Sequence, residues 1–204
     1  MARLIAFGAS YVFGHGLPDC FVPPASPGTT PSKLAWPSVL ADRMGLECVN
    51  RAVPGSSNQQ ILDDILNFNF EDTDVVFVMW ADKDRDMLYD SPTKRTTLAH
   101  WVDDSRINIK EWLLLHSSYD MAMRSWLCLH HAHLYLQGRK FYFLDSFPGF
   151  KGFYEHKPQW AEAIKILETD ITKNRDLFPK ALDNRHPGIE CHVHVAESIY
   201  KEIT

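Results

Sequence analysis

Apolar positions along this chain alternate between short continuous runs and stripes at helical spacing. Leu4 to Phe7 is a short apolar run that stops at Gly8, which predicts a buried strand opening into a turn. Five of the twelve prolines fall between Pro18 and Pro31, a composition that reads as a loop over the surface. Leu34, Trp36, Val39, Leu40 and Met44 then recur at helical spacing, with Ser32 as the expected N-cap, Pro37 in the first turn and Gly45 at the end. Glu47 to Ala52 reads as a second strand closed by Pro54-Gly55, and Ser57 or Asn58 caps a helix from about Gln59 to Leu66. Asp74 to Trp80 is a continuous apolar run of the kind buried on both faces of a parallel sheet. Residues 81–108 are polar and read as irregular. Ile109 to Gln137 is a long helical stretch, with Trp112, Leu115, Tyr119, Met123, Trp126 and Leu129 drifting round one face and Gly138 as its stop. Lys140 to Leu144 is a further strand, and a helical piece is expected from about Pro158 to Glu168. Pro187 is expected as the first residue of a last helix that ends at Ile203.

Strands thus alternate with helices over the whole length, which predicts an α/β chain. The expected architecture is a single domain over residues 1–204, a three-layer α/β/α sandwich around a central parallel sheet. Ligands in such folds sit at the carboxyl ends of the strands. The residues that follow each strand therefore carry most weight: Gly8-Ala9-Ser10, Pro54-Gly55-Ser56, Trp80-Ala81-Asp82 and Asp145-Ser146.

Composition narrows the function. The 204 residues are 45% hydrophobic and 23% charged, which excludes a disordered tail, a collagen-like fibre and a coiled coil. Lys and Arg number 21 against 26 Asp and Glu, a net charge of −5, against the basic footprint that nucleic-acid binding wants. Cys20, Cys48, Cys128 and Cys191 form no Cys-x-x-Cys pair and read as free thiols in a reducing compartment. The opening apolar run is short for a cleaved leader, and no apolar stretch approaches ~18 residues. The expectation is a cytoplasmic chain without membrane contact.

Three groups carry candidate chemistry. Ser10 follows the first strand by two residues, with Gly8 before it and Gly14 and Gly16 after it. Small residues there let a hydroxyl stand exposed at a turn, although a capping serine in a tight strand-to-helix connection would look the same. Asp183 and His186 are three residues apart. The aspartate can hold the imidazole Nδ1–H and leave Nε2 to accept a proton, or it can simply cap a helix beside a surface histidine. Gly55, followed by Ser56, Ser57 and Asn58, can offer its N–H to a developing oxyanion, or can merely begin a helix. One fold predicts all three groups together.

The chain resembles the SGNH, or GDSL-type, hydrolase superfamily. Gly8-Ala9-Ser10-Tyr11-Val12-Phe13-Gly14-His15-Gly16-Leu17 is similar to that superfamily's first block, Asn50-Arg51-Ala52-Val53-Pro54-Gly55-Ser56-Ser57-Asn58 to its second and Asp183-Asn184-Arg185-His186-Pro187 to its last. The continuation Gly14-His15-Gly16-Leu17-Pro18-Asp19-Cys20 and the segment Lys33-Leu34-Ala35-Trp36-Pro37 also look like SGNH-like proteins encoded by tailed bacteriophages, some of them virion-associated. The resemblance implies a flavodoxin-like sheet and a serine esterase acting on small-molecule or glycan esters, O-acetyl groups on carbohydrates among them. It implies Ser10 as nucleophile, His186 as base and Asp183 as its orienter, with the N–H groups of Ser10 and Gly55 in the oxyanion hole and no metal or organic cofactor.

Two departures stand out. The first block usually has Asp before the serine, where this chain has Ala9. The third block usually ends in an asparagine that donates to the oxyanion, where this chain reads Trp80-Ala81-Asp82-Lys83-Asp84-Arg85. Losing one such donor costs ~3 kcal/mol in comparable sites. Arg85 and Asn58 are the candidate replacements, and the alternative is a catalytically silent domain that binds glycans or assembles in a virion. His130, His131 and His133, and the pair His192 and His194, are not read as metal ligands, because i, i+1 and i, i+2 positions on one helix do not share a face and no His-Glu-x-x-His motif is present. Phe147, Phe150, Phe153, Tyr154 and Trp160 are candidates to anchor a loop or line an acyl or sugar pocket. No Gly-x-Gly-x-x-Gly or Walker pattern follows the first strand, against a nucleotide-binding flavodoxin-like protein.

Overall fold

The computed structural model describes residues 2–23, 27–91, 94–98, 111, 115–146, 157–171 and 175–204. Five strands build the central sheet: β1 (Arg3–Phe7), β2 (Glu47–Asn50), β3 (Val75–Trp80), β6 (Lys140–Asp145) and β7 (Ile166–Asp170). Their order is β2-β1-β3-β6-β7, and every pairing is parallel. The helices are α1 (Ser10–Phe13), α2 (Trp36–Met44), α3 (Asn58–Leu66), α4 (Ser118–Tyr135) and α5 (Ile189–Ile203).

Alternation along the strands divides the core in two. Leu4 and Ala6 of β1, with Phe77 and Met79 of β3, pack against α1, α2 and α5. Ile5 and Phe7, with Val76, Val78 and Trp80, pack against α3 and α4. Burial on both faces is what the uninterrupted apolar runs required. The three-layer α/β/α architecture expected from the sequence is therefore present.

Chain direction across the sheet reverses beside β1: the chain passes from β1 to β2 on one side, then returns to β3 on the other. A switch of this kind leaves a crevice at the carboxyl ends of β1 and β3. Ser10 lies just beyond β1, and Ala81 just beyond β3.

Several expectations need correction. Residues 81–108 are not wholly irregular, because β4 (Asp86–Ser91) and β5 (Lys94–Leu98) form an antiparallel hairpin with a register shift between Tyr89 and Ser91. Its polar composition hid it. The helix expected over 158–168 is only a 3-10 turn, Gln159–Ala161, after which Ile166–Asp170 joins the sheet beside β6. Pairing with β6 rather than local propensity decides the state of Ile166–Asp170. Ser32 does not cap α2: Ala35 holds that position, and the Ser32 hydroxyl donates to Asp19 Oδ1 at 2.5 Å. Pro187 lies before α5, bridged to Lys180, and Gly188 is the N-cap. Of the expected 109–137 helix, Ser118–Tyr135 is observed behind an Ser117 cap, while Trp112 lies outside the described residues. No helix among the described residues is long and apolar enough to cross a membrane.

Candidate active site

Gly8 makes the first turn possible. A Cβ there would lie 2.3 Å from Val12 Cγ2 and 2.9 Å from the Met79 carbonyl oxygen. The chain can therefore leave β1 hard against β3 and start α1 at once. Tyr11, Val12 and Phe13 are buried, whereas Ser10 keeps partial exposure. The second block is tied to the first: Asn50 Nδ2 donates to the Val12 carbonyl at 2.7 Å, and Val53 N–H to the Gly8 carbonyl at 3.1 Å. Gly55 adopts φ 84°, with nothing within 4 Å of where a Cβ would be. Among the described residues neither the Ser10 nor the Gly55 N–H makes a backbone hydrogen bond, which leaves both free to point at a ligand.

The last block is a tight loop with Asn184 left-handed at φ 58°. Asp183 Oδ1 accepts from the N–H groups of Arg185 and His186, each at 3.0 Å, and His186 Nδ1 donates to Asp183 Oδ2 at 2.5 Å. With Nδ1 so engaged, Nε2 is the nitrogen left to accept a proton. Burial pulls the Asp183 carboxyl upward, but the backbone donors and His186 outweigh it and hold the group below the usual carboxylate range. Burial pushes the His186 imidazole below its ordinary value; Asp183 opposes this, and the charges of His15 and Arg85 add to it.

Gly16 joins the two distant blocks. A Cβ on Gly16 would lie 2.8 Å from Asp183 Cγ, and its carbonyl accepts from Leu182 N–H at 3.0 Å. The Tyr11 ring stands edge-on to His186 with centroids 5.6 Å apart, and Arg175 donates to the Tyr11 hydroxyl at 3.2 Å. The opening turn thus packs directly on the Asp183–His186 pair. Among the described residues, however, no hydrogen bond joins the Ser10 hydroxyl to His186.

Arg85 is buried, and its Nη1 donates to the Ser56 carbonyl at 3.2 Å. It lines a small cavity together with Ala9, Ser10, Met79 and Ser146, so a guanidinium stands beside Ser10. Ser146, buried, donates to the Trp80 carbonyl. Asn58 is committed elsewhere: Nδ2 donates to the Ala81 carbonyl and to Ser125 Oγ, and Oδ1 accepts from Ala81 N–H at 2.8 Å. The structure brings Ser10 and Arg85 together; it uses Asn58 to tie α3 to the end of β3.

His15, Asp183 and His186 each offer a ligand-type atom within 4.8 Å of the others. The Asp183 oxygen they face is already engaged by His186 Nδ1. His15 was not among the expected site residues, although an imidazole between two glycines five residues beyond Ser10 is a readable signal. Of the other described histidines, His130 packs on Trp160, His133 on Phe141 and His194 on Phe178. Phe147, Phe150, Phe153 and Tyr154 lie outside the described residues.

Neither a sequence-family profile nor a curated protein matches the chain. Solved structures do. A protein assigned to the G-D-S-L lipolytic family from Desulfitobacterium hafniense DCB-2 is 14% identical and superposes with a TM-score of 0.55 over 98% of each chain. The carbohydrate acetylesterase Est24 of Sinorhizobium meliloti is 13% identical, with a TM-score of 0.57 over all of this chain and 98% of that one. A carbohydrate esterase, described as having an active site with divergent catalytic and non-catalytic binding functions, is 11% identical and gives 0.58 over 98% of this chain and 68% of that one. The fold is that of the SGNH hydrolases. In that fold, Ser10, Gly55, Asp183 and His186 of this chain occupy strand ends and loops on one edge of the sheet.

Proposed function

We propose that the protein is a serine esterase whose nucleophile is Ser10. The observation that carries this reading is the Asp183–His186 pair, joined at 2.5 Å and packed against the turn that presents Ser10. Ser10 Oγ attacks an ester carbonyl while its proton passes to His186 Nε2, and Asp183 stabilises the imidazolium. The N–H groups of Ser10 and Gly55 receive the tetrahedral oxygen, and Arg85 supplies the third donor as a cation. His186 then protonates the leaving alcohol, water attacks the acyl-enzyme, and the acid and Ser10 are regenerated. Hydrogen bonds of this kind are often long without substrate and tighten when it binds, so the reading requires Ser10 to rotate toward Nε2. The acetylesterase fold neighbour supports an O-acetylated carbohydrate as substrate.

A second reading is a glycan-binding or virion-associated domain without turnover. The absence of a Ser10–His186 hydrogen bond among the described residues favours it, as does the missing asparagine. An organophosphonate probe separates the two readings. The esterase reading expects labelling of the wild type and none of Ser10→Ala, with turnover of acetylated sugars. Neither labelling nor hydrolysis of short p-nitrophenyl esters would favour the binding domain.

A further inference from the structure

The turn after α1 carries an imidazole that the reaction above leaves unused. His15 lies between Gly14 at φ 80° and Gly16 at φ 89°, backbone conformations that hold the turn in a form glycine adopts readily. Its ring stacks on His186, with centroids 4.4 Å apart and planes at 24°. Its Nε2 is 3.9 Å from Asp183 Oδ2, the oxygen that His186 Nδ1 engages at 2.5 Å. Both rings are largely buried. One carboxylate oxygen therefore faces two imidazoles whose faces touch.

We propose that His15 is a positioning residue for His186: its stacked ring fixes the plane of the base over Asp183, and that close approach shapes how the base takes up a proton. The stack leaves His186 little freedom to tilt away from the line between Asp183 and Ser10. Two imidazolium cations at this separation repel each other strongly, so a proton on both rings at once is disfavoured. The other groups facing His186 are Asp183 on its own loop, Arg85 from beyond β3, Tyr11 with Arg175 on its hydroxyl, and His192 from α5. None of these contributes a second ring stacked on the base. The charge of His15 acts to lower the affinity of His186 for a proton, in the direction that the stack requires.

The test compares His15→Phe, which keeps a stacked ring and removes the ionisable nitrogens, with His15→Ala. The kinetic arm rests on the esterase reading. It expects His15→Ala to lose roughly tenfold or more in kcat with little change in KM, as misplacement of a reacting group does, and His15→Phe to recover most of that loss. The second arm needs no turnover: the ring resonances of His186 are followed by NMR against pH. In the wild type they should trace a curve broader than a single-site titration, and in His15→Phe a single-site curve. Identical His186 curves in the two proteins, or a His15→Ala enzyme as fast as the wild type, would overturn the proposal. Coupled curves in a protein that hydrolyses no ester would support the coupling and sink only the esterase reading.

Discussion

The two ends of the sheet each hold a carboxylate gripped by donors, and they use it differently. At the amino ends of the strands, Asp74 accepts from Arg3 Nε at 2.8 Å, Arg3 Nη2 at 2.7 Å and Glu71 N–H at 2.8 Å. At the carboxyl ends, Asp183 accepts from two backbone N–H groups and from His186. Burial raises both carboxyls, and their donors outweigh it, so both lie below the ordinary range. The difference is the partner. Arginine stays protonated at any working pH and fits a carboxylate with two parallel bonds, so the Arg3 pair can only hold the start of β1 to the start of β3. Histidine can give up and recover a proton near neutrality, so under the proposed esterase reading the same grip on Asp183 orients a base. Arg3 and Asp74 are 71 residues apart, whereas Asp183 and His186 are separated by three. The Arg3–Asp74 pair joins two strands; the Asp183–His186 pair forms within one loop and packs against the turn that carries Ser10.

Substitutions should separate these roles. Asp183→Asn is expected to lower kcat for ester hydrolysis by about 10³–10⁴-fold, because the amide favours the wrong imidazole tautomer. Circular dichroism and chromatography should find it folded, and a loss below tenfold would remove Asp183 from the reaction. Gly16→Ala comes next. Its Cβ would press within 2.8 Å of Asp183 Cγ, so about 10²-fold should be lost in kcat/KM through displacement of the base. An alanine variant with wild-type kinetics would show that the opening turn does not position Asp183.

Asp74→Asn should do the reverse, lowering the midpoint of thermal unfolding while kcat of the folded enzyme stays the same. A fall in kcat at full folding would mean that the amino end also reaches the site. The smallest effect concerns His192, six residues beyond His186. It is fully buried, accepts from Trp36 N–H at Nδ1 and is pushed down to about 3 by burial and then by the charge on His186. The unfolded chain therefore binds a proton here before the folded one does. The stability His192 contributes is complete above its ordinary 6.5 and declines as pH falls toward 3, by at most about 1.4 kcal/mol per pH unit. Urea unfolding at several pH values should give a flatter acid slope for His192→Gln. An unchanged slope would place the acid sensitivity elsewhere, with Asp74 the next carboxylate to examine.

Much of this was legible before any coordinates. The apolar runs at Leu4–Phe7, Asp74–Trp80 and Lys140–Leu144 announced buried strands because a parallel sheet covered on both faces leaves no polar position. The Ser57 cap and Gly45 stop were equally local: Ser57 Oγ accepts from Gln60 N–H, and Gly45 is left-handed. The Asp183–His186 pair was readable because a three-residue separation lets one loop form the bond. By contrast, the β4–β5 hairpin and strand β7 carry sequences without a strong strand pattern, and their state depends on pairing with a neighbouring strand rather than on local propensity. Asn58 had two plausible uses, and only the position of Ala81 and Ser125 decided between an oxyanion donor and a brace.

The sequence by itself determined the alternation of strands and helices, the turns that need glycine and a loop able to pair Asp183 with His186. Those outcomes follow from local sterics, capping and apolar periodicity. Tertiary structure alone decided that Gly16 abuts Asp183, that His15 lies flat on His186, and that a buried arginine stands beside Ser10. Each of these is a contact across the folded chain, set by how helices and loops stack on the sheet, and residue spacing carries no information about which faces will meet.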